Sequence, residues 1–314
     1  MASSRAGDPA RDHLVWKRTS VEGRSALYGV AGEGPPVVFV HGWALGSHSY
    51  KRALKRLVGL GLKVFAPSLP GFGGTGDLPG ARVSFAGYGD WLDSFLTAVD
   101  IKEPVVLVGH SFGGGVSIQF AHDHPARVRS LVLLNSVGGS AWLARGGKVR
   151  TLAERSLWDW GRGLPGEVLP IPRIARVLPA VMEDAVPNAV RNPRGLWRVA
   201  NLVRGADLTP ELQELKRRRL PVVVVWAEDD RIIPRASFDS LCTAIGARGE
   251  VVPGTHSWLM ADPDAFGTVM MKALGAAKVA RALEGEGAGP GGAGAADSDD
   301  VDAGGDVASA SPSP

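Results

Sequence analysis

The sequence has one cysteine, no long apolar run and only three tyrosines, and the first two shortages narrow what the chain can be. Cys242 alone cannot close an internal disulfide, which fits a reducing compartment and excludes a small scaffold held by bridges. It falls in a helix-like stretch after Pro234, where a thiol is expected to pack as a small apolar group. No apolar stretch approaches the roughly 18 residues of a spanning helix, and Met1 to Lys17 is polar with no signal-type segment. The chain reads as soluble and cytoplasmic, with no membrane span. No aromatic-rich basic groove accompanies the net charge of +3, so nucleic acid is not expected as a partner.

Basic residues are missing from one region. Residues 282–314 hold seven acidic side chains and no Lys or Arg, so all 35 basic residues stand against 25 of the 32 acidic ones in residues 1–281, an excess of ten. The terminal stretch is otherwise Gly, Ala, Ser and Pro with one Leu and two Val. It cannot bury enough apolar surface to offset its ordering entropy and reads as disordered.

The remainder is ample for a large core, with 45% of the 314 residues hydrophobic. Leu14–Glu22 and Arg24–Val30 read as two strands joined at Gly23. Val37–Val40, Lys63–Ala66, Val105–Val108, Leu131–Leu134 and Pro221–Trp226 are continuous apolar runs of the kind that strands buried on both faces show. Helix-period stretches at about 48–60, 86–100 and 112–124 alternate with them, which predicts an α/β fold on a mostly parallel twisted sheet. Alternation stops from Val137 to about Ala206, where four tryptophans (Trp142, Trp158, Trp160, Trp197), several prolines and many arginines occur without a strand-like run. That segment is expected to be a helical insertion over the carboxyl edge of the sheet. The pattern then resumes with a helix from about Pro234 to Ile245, a short strand at Glu250–Val252 and a helix from about Pro263 to Arg281. The domain reading is core 1–137, insertion 138–206, core 207–281 and tail 282–314.

The chemistry is concentrated at Gly109-His110-Ser111-Phe112-Gly113. A strand that turns into a helix around one residue strains that residue's backbone and presents its side chain at the sheet edge. Gly109 and Gly113 let strand and helix approach without a Cβ in the way. A serine hydroxyl needs a base to attack at neutral pH. Of the seven histidines only His256 lies beyond residue 124, on a Pro253-Gly254 turn after the last short strand, where a strand–turn–helix nucleophile places its histidine. His110 must point elsewhere on so tight a turn, and His122 and His124 sit at the end of the helix behind Ser111. An acid must orient His256, and Glu228, Asp229 and Asp230 follow the Val222–Trp226 strand. Asp230 is preferred because Ile232-Ile233-Pro234 can pin the loop around it, with Asp229 in reserve. The loop after Leu134 begins Asn135-Ser136-Val137 and offers no carboxylate. Oxyanion donors are expected from the backbone N–H groups of Phe112 and Trp43, with Gly42 allowing close approach.

These residues resemble a serine-nucleophile member of the α/β-hydrolase superfamily with a helical cap. The likeness is carried by His41-Gly42-Trp43, Leu69-Pro70-Gly71-Phe72-Gly73, the Gly109–Gly113 run, Asp230, His256, Trp258 and Asp262-Pro263, and it covers about residues 14–281. Ala227 departs from the glycine usual before the acid, and Ser68 from the aspartate frequent before Leu-Pro-Gly. Haloalkane dehalogenases and soluble epoxide hydrolases are similar overall but use an aspartate nucleophile where Ser111 stands. The resemblance implies hydrolysis of a small-molecule ester or related acyl substrate, or carbon–carbon hydrolysis of vinylogous diketone acids, with no cofactor and no metal. A ligand-binding or lyase member of the same fold is the other class. The insertion should decide specificity: over 138–219 fifteen Lys or Arg oppose eight acids, which would either attract anionic substrates or simply solvate helix faces. The acidic tail is expected to lie transiently against this basic surface.

Overall fold

The computed structural model describes residues 13–139, 141–143, 149–151 and 171–286. Strands β1 (Val15–Val21) and β2 (Arg24–Ala31) form an antiparallel pair reversing at Gly23, whose φ of 75° is left-handed. β3 (Pro36–Val40), helix α1 (Lys51–Gly59), β4 (Lys63–Pro67), α2 (Phe85–Ala98), β5 (Val105–His110), α3 (Phe112–Asp123) and β6 (Val128–Leu134) follow in alternation. After β6 come a two-stranded ribbon, β7 (Ala141–Leu143) with β8 (Val149–Thr151), and three helices, α4 (Ile171–Arg191), α5 (Pro193–Arg204) and α6 (Thr209–Arg217). β9 (Val222–Ala227), α7 (Arg235–Ile245), β10 (Glu250–Val252), α8 (Trp258–Ala261) and α9 (Pro263–Glu286) complete the described chain.

Eight strands form one sheet in the order β1-β2-β4-β3-β5-β6-β9-β10, parallel from β4 onward and antiparallel at the β1–β2 edge. β3 and β5 are buried along their whole length, which explains their unbroken apolar runs. Successive side chains divide between two cores, as strand geometry requires. Val38, Val40 and Leu107 join Leu92, Phe95, Val116, Leu212 and Phe238 on one face, whereas Val37, Phe39, Val106 and Val108 join Leu54, Leu57, Phe266 and Met270 on the other.

The chain leaves β3 toward β4 on one side and returns to β5 on the other. Strand order therefore reverses between β3 and β5, and the crevice beyond their carboxyl ends is where such sheets bind ligands. The loops carrying Gly42 and Ser111 both start there.

Two expectations are corrected. The segment after β6 is not wholly helical, because β7 and β8 pair within it; three-residue strands are too short to leave a periodicity. The last helix runs to Glu286, five residues into the stretch expected to be disordered, because Ala282, Leu283 and Glu284 are good helix formers. Trp158, Trp160 and residues 287–314 lie outside the described residues. Among the described residues no helix is long and apolar enough to cross a membrane, and no group of three or more His, Cys, Asp or Glu could hold a metal ion. Cys242, on α7, is half-buried, and burial raises its thiol pKa to about 11.

Candidate active site

Ser111 sits between β5 and α3 with φ 55° and ψ −119°, a left-handed backbone that a non-glycine residue adopts at a cost of roughly 1–3 kcal/mol. The strain is held by the neighbouring strand. The Ser111 N–H donates to the Leu134 carbonyl at 3.0 Å, and the Ser111 carbonyl accepts from Val137 N–H at 3.2 Å. A Cβ on Gly113 would collide with the carbonyl oxygens of Val40 and His41, so α3 starts hard against the end of β3. One on Gly109 would stand 2.6 Å from both Gly114 Cα and Ser117 Oγ. Phe112 is fully buried and begins α3, so its N–H is among those with no partner inside the helix.

Asp230 and His256 come together from the ends of β9 and β10. The Asp230 carboxylate accepts from His256 Nδ1 at 2.8 Å through Oδ2, while Oδ1 accepts from the N–H groups of Ile232 and Ile233 at 2.7 and 2.8 Å. The Ile-Ile-Pro turn thus wraps the carboxylate with its own amides. Asp229 is exposed, and its backbone N–H donates to the Gly254 carbonyl. Ala227 ends β9 without a left-handed φ and accepts from Asp230 N–H at 3.0 Å, so the turn does not require glycine there.

One contributor was not legible in the sequence. Asn135, fully buried with φ 45°, donates through Nδ2 to Asp230 Oδ2 at 2.5 Å and accepts through Oδ1 from the Trp258 indole N–H at 2.8 Å. It occupies the strand end where no carboxylate was found, and a polar residue directly after a buried apolar run was the available signal.

The loop after β3 is braced from two sides. His41 is fully buried; its Nε2 accepts from Leu69 N–H at 2.8 Å, so Nδ1 carries the proton and donates to the Gly42 carbonyl at 2.8 Å. Burial lowers the His41 pKa to about 4, which keeps the ring neutral. A trans peptide is planar, so fixing the Gly42 carbonyl toward His41 turns the Trp43 N–H to the opposite side. From the other direction, Asp184 on α4 accepts from Gly46 N–H, Ser49 N–H and Ser49 Oγ at 3.0, 3.2 and 2.5 Å. One turn later, Asn188 accepts from Gly73 N–H at 3.1 Å and donates to the Ala44 carbonyl at 2.9 Å. The Trp43 indole N–H donates to the Leu196 carbonyl of α5 at 3.1 Å. Ser68, in place of a carboxylate, accepts from Ser47 N–H at 3.2 Å.

His122 and His124 stand apart from this cluster, whereas the His110 ring lies 4.9 Å from that of His256. His122 contacts Asp123 and His124 stacks on Phe120, both at the far end of α3. Trp197 on α5 is 61% exposed and does not pack inside the segment. Beside α5 lies a cavity of about 260 Å³ lined by Phe72, Leu78, Tyr88, Val199, Arg194 and Arg198, and Phe72 and Tyr88 both pack against Phe112.

A family model described as the alpha/beta hydrolase family matches residues 37–268. The chain belongs to that family. As an alpha/beta hydrolase it has relatives of several kinds. A protein of Mycobacterium phage D29, provisionally named a non-heme haloperoxidase, is 29% identical over 253 residues, covering 77% of this chain and 88% of that protein. A monoacylglycerol lipase of Mycolicibacterium smegmatis is 26% identical over 242 residues, covering 73% and 82%. Among solved structures, a serine hydrolase involved in carbazole degradation shares the fold with a TM-score of 0.67 at 20% identity, over 84% of this chain and 99% of that one.

Proposed function

We propose that this alpha/beta hydrolase is a serine esterase acting on carboxylic esters with a small or medium apolar acyl group. The observation that carries the reading is the Asp230–His256 pair, held by two backbone amides and Asn135, with His256 packed on His110, the residue before the strained Ser111. In this reading Ser111 Oγ attacks the ester carbonyl carbon while His256 takes the hydroxyl proton through Nε2. Asp230, bonded to Nδ1, sets the tautomer and stabilises the imidazolium. The N–H groups of Phe112 and Trp43 hold the developing oxyanion, each worth about 10²–10³ in rate. His256 then protonates the leaving alcohol, and water, activated by the same imidazole, releases the acid from Ser111 and returns the proton to it.

Residues 138–206 act as the cap over core segments 1–137 and 207–281. Phe72, Leu78 and Val199 give the cavity beside α5 an apolar side that would suit a small or medium acyl group, and Asp77, Arg194 and Arg198 give it a charged one. Incubation with a fluorophosphonate probe followed by peptide mapping tests the assignment. Ser111 should be labelled, His256→Ala should abolish labelling, and p-nitrophenyl esters of increasing acyl length should be cleaved with a maximum at short or medium chains. A folded protein left unlabelled would instead make the chain a ligand-binding member of the family.

A further inference from the structure

Two loops of the site are tied to each other through the protein interior. Gly42 donates its N–H to the Tyr50 hydroxyl oxygen at 3.2 Å. That hydroxyl lies 2.9 Å from Nδ1 of His110, and Nε2 of His110 lies 3.0 Å from the carbonyl oxygen of His256. Tyr50 is fully buried and His110 is 2% exposed. A carbonyl oxygen only accepts, so Nε2 of His110 carries the proton and donates to His256. The lone pair of Nδ1 then accepts from the Tyr50 hydroxyl, whose oxygen in turn accepts from Gly42. All three bonds run head to tail in one direction. The His110 pKa is held well below its ordinary value, first by burial and then by the neighbouring His256 ring, so the imidazole stays neutral and keeps that lone pair.

The sheet alone cannot align these loops. From β3 to β10 there are four strand steps, which place the loop origins about 19 Å apart. Twist accumulates to about 90° over the same span. Oxyanion donor and base nevertheless have to meet one substrate carbon with a tolerance of about half an ångström.

We propose that Tyr50 and His110 are positioning residues, a buried chain from Gly42 to the His256 carbonyl that holds the Trp43 amide and the His256 imidazole at one fixed separation across Ser111. The role rests on the assignment of Ser111, His256 and Trp43 made above. Neither residue takes or gives a proton to substrate; each acts through the backbone atom at its end of the chain. Tyr50 also packs against Phe39 at a centroid distance of 5.0 Å, and a purely space-filling tyrosine would give up its hydroxyl without kinetic effect.

Tyr50→Phe keeps that packing and removes two of the three bonds, the one from Gly42 and the one to His110. Its kcat for p-nitrophenyl acetate should fall about 10- to 100-fold with KM changed less than about twofold. Affinity for a trifluoromethyl ketone, which mimics the tetrahedral adduct, should weaken by the same factor. His110→Gln, whose amide both donates and accepts, should stay within about threefold of the wild type, whereas His110→Leu should match Tyr50→Phe. The double variant should be no slower than the slower single one, because both break the same chain. Should Tyr50→Phe fail to fold by near-ultraviolet circular dichroism, the contrast between His110→Gln and His110→Leu reads the same link. Unchanged kcat in folded Tyr50→Phe, equal losses in His110→Gln and His110→Leu, or multiplying losses in the double variant would each overturn the proposal. If fluorophosphonate leaves wild-type Ser111 unlabelled, the esterase assignment falls and this role with it; if Ser111 is labelled and Tyr50→Phe is unaffected, only this role falls.

Discussion

Asp230 shows how much one side chain depends on its surroundings. Its two oxygens accept from Ile232, Ile233, Asn135 and His256, so a buried charge is met by two amides, a carboxamide and an imidazole. Asp230→Asn keeps the shape but offers His256 a donor as readily as an acceptor. Its kcat on p-nitrophenyl acetate should fall by about 10⁴, as a wrong tautomer does in other triads. Asn135→Ala is a milder break. It leaves the Trp258 indole N–H without its acceptor and should cost about 1–3 kcal/mol in urea unfolding, with a smaller loss of kcat than Asp230→Asn. The Asp230 and His256 positions were legible because order along the chain and turn residues constrain them. Asn135 and Tyr50 were not, since an isolated amide or phenol carries no motif and their partners include Asp230 and His110, 95 and 60 residues away.

At the scale of elements, the contact between α4 and the loop after β3 is the feature that composition could not reveal. Asp184 and Asn188 lie one helical turn apart and together meet Ala44, Gly46, Ser49 and Gly73. Asn188→Ala would leave the Gly73 N–H and the Ala44 carbonyl unpaired in a buried spot, so a loss of about 1–3 kcal/mol is expected in thermal or urea unfolding. The same variant should lower kcat, since Ala44 follows the proposed donor Trp43. Strands and helices of the core were readable from apolar runs and their spacing. The ribbon β7–β8 and the interlock of α4 were not, because the first is too short for a period and the second is a tertiary match between distant polar groups.

For the molecule as a whole, buried neutral histidines set an acid limit. His41 has a folded pKa of about 4 against an ordinary value of 6.5, and the His110 value is likewise depressed. The unfolded chain therefore takes up these protons first as pH falls. Stability is fully present above about pH 6.5 and is lost progressively as pH drops toward 4, by about 3 kcal/mol for His41 alone. Urea midpoints measured across that window should decline steeply, and His41→Gln, less stable at neutral pH, should show a shallower decline.

The strand order also fixes when function can arise. His256 follows β10, one of the sheet's two edge strands and the last strand described, while the strands and loop that bond Ser111 are complete once β6 has docked. If Ser111 and His256 act as proposed, a chain still being translated displays its serine long before it owns a base, and hydrolytic activity waits until that final edge strand settles.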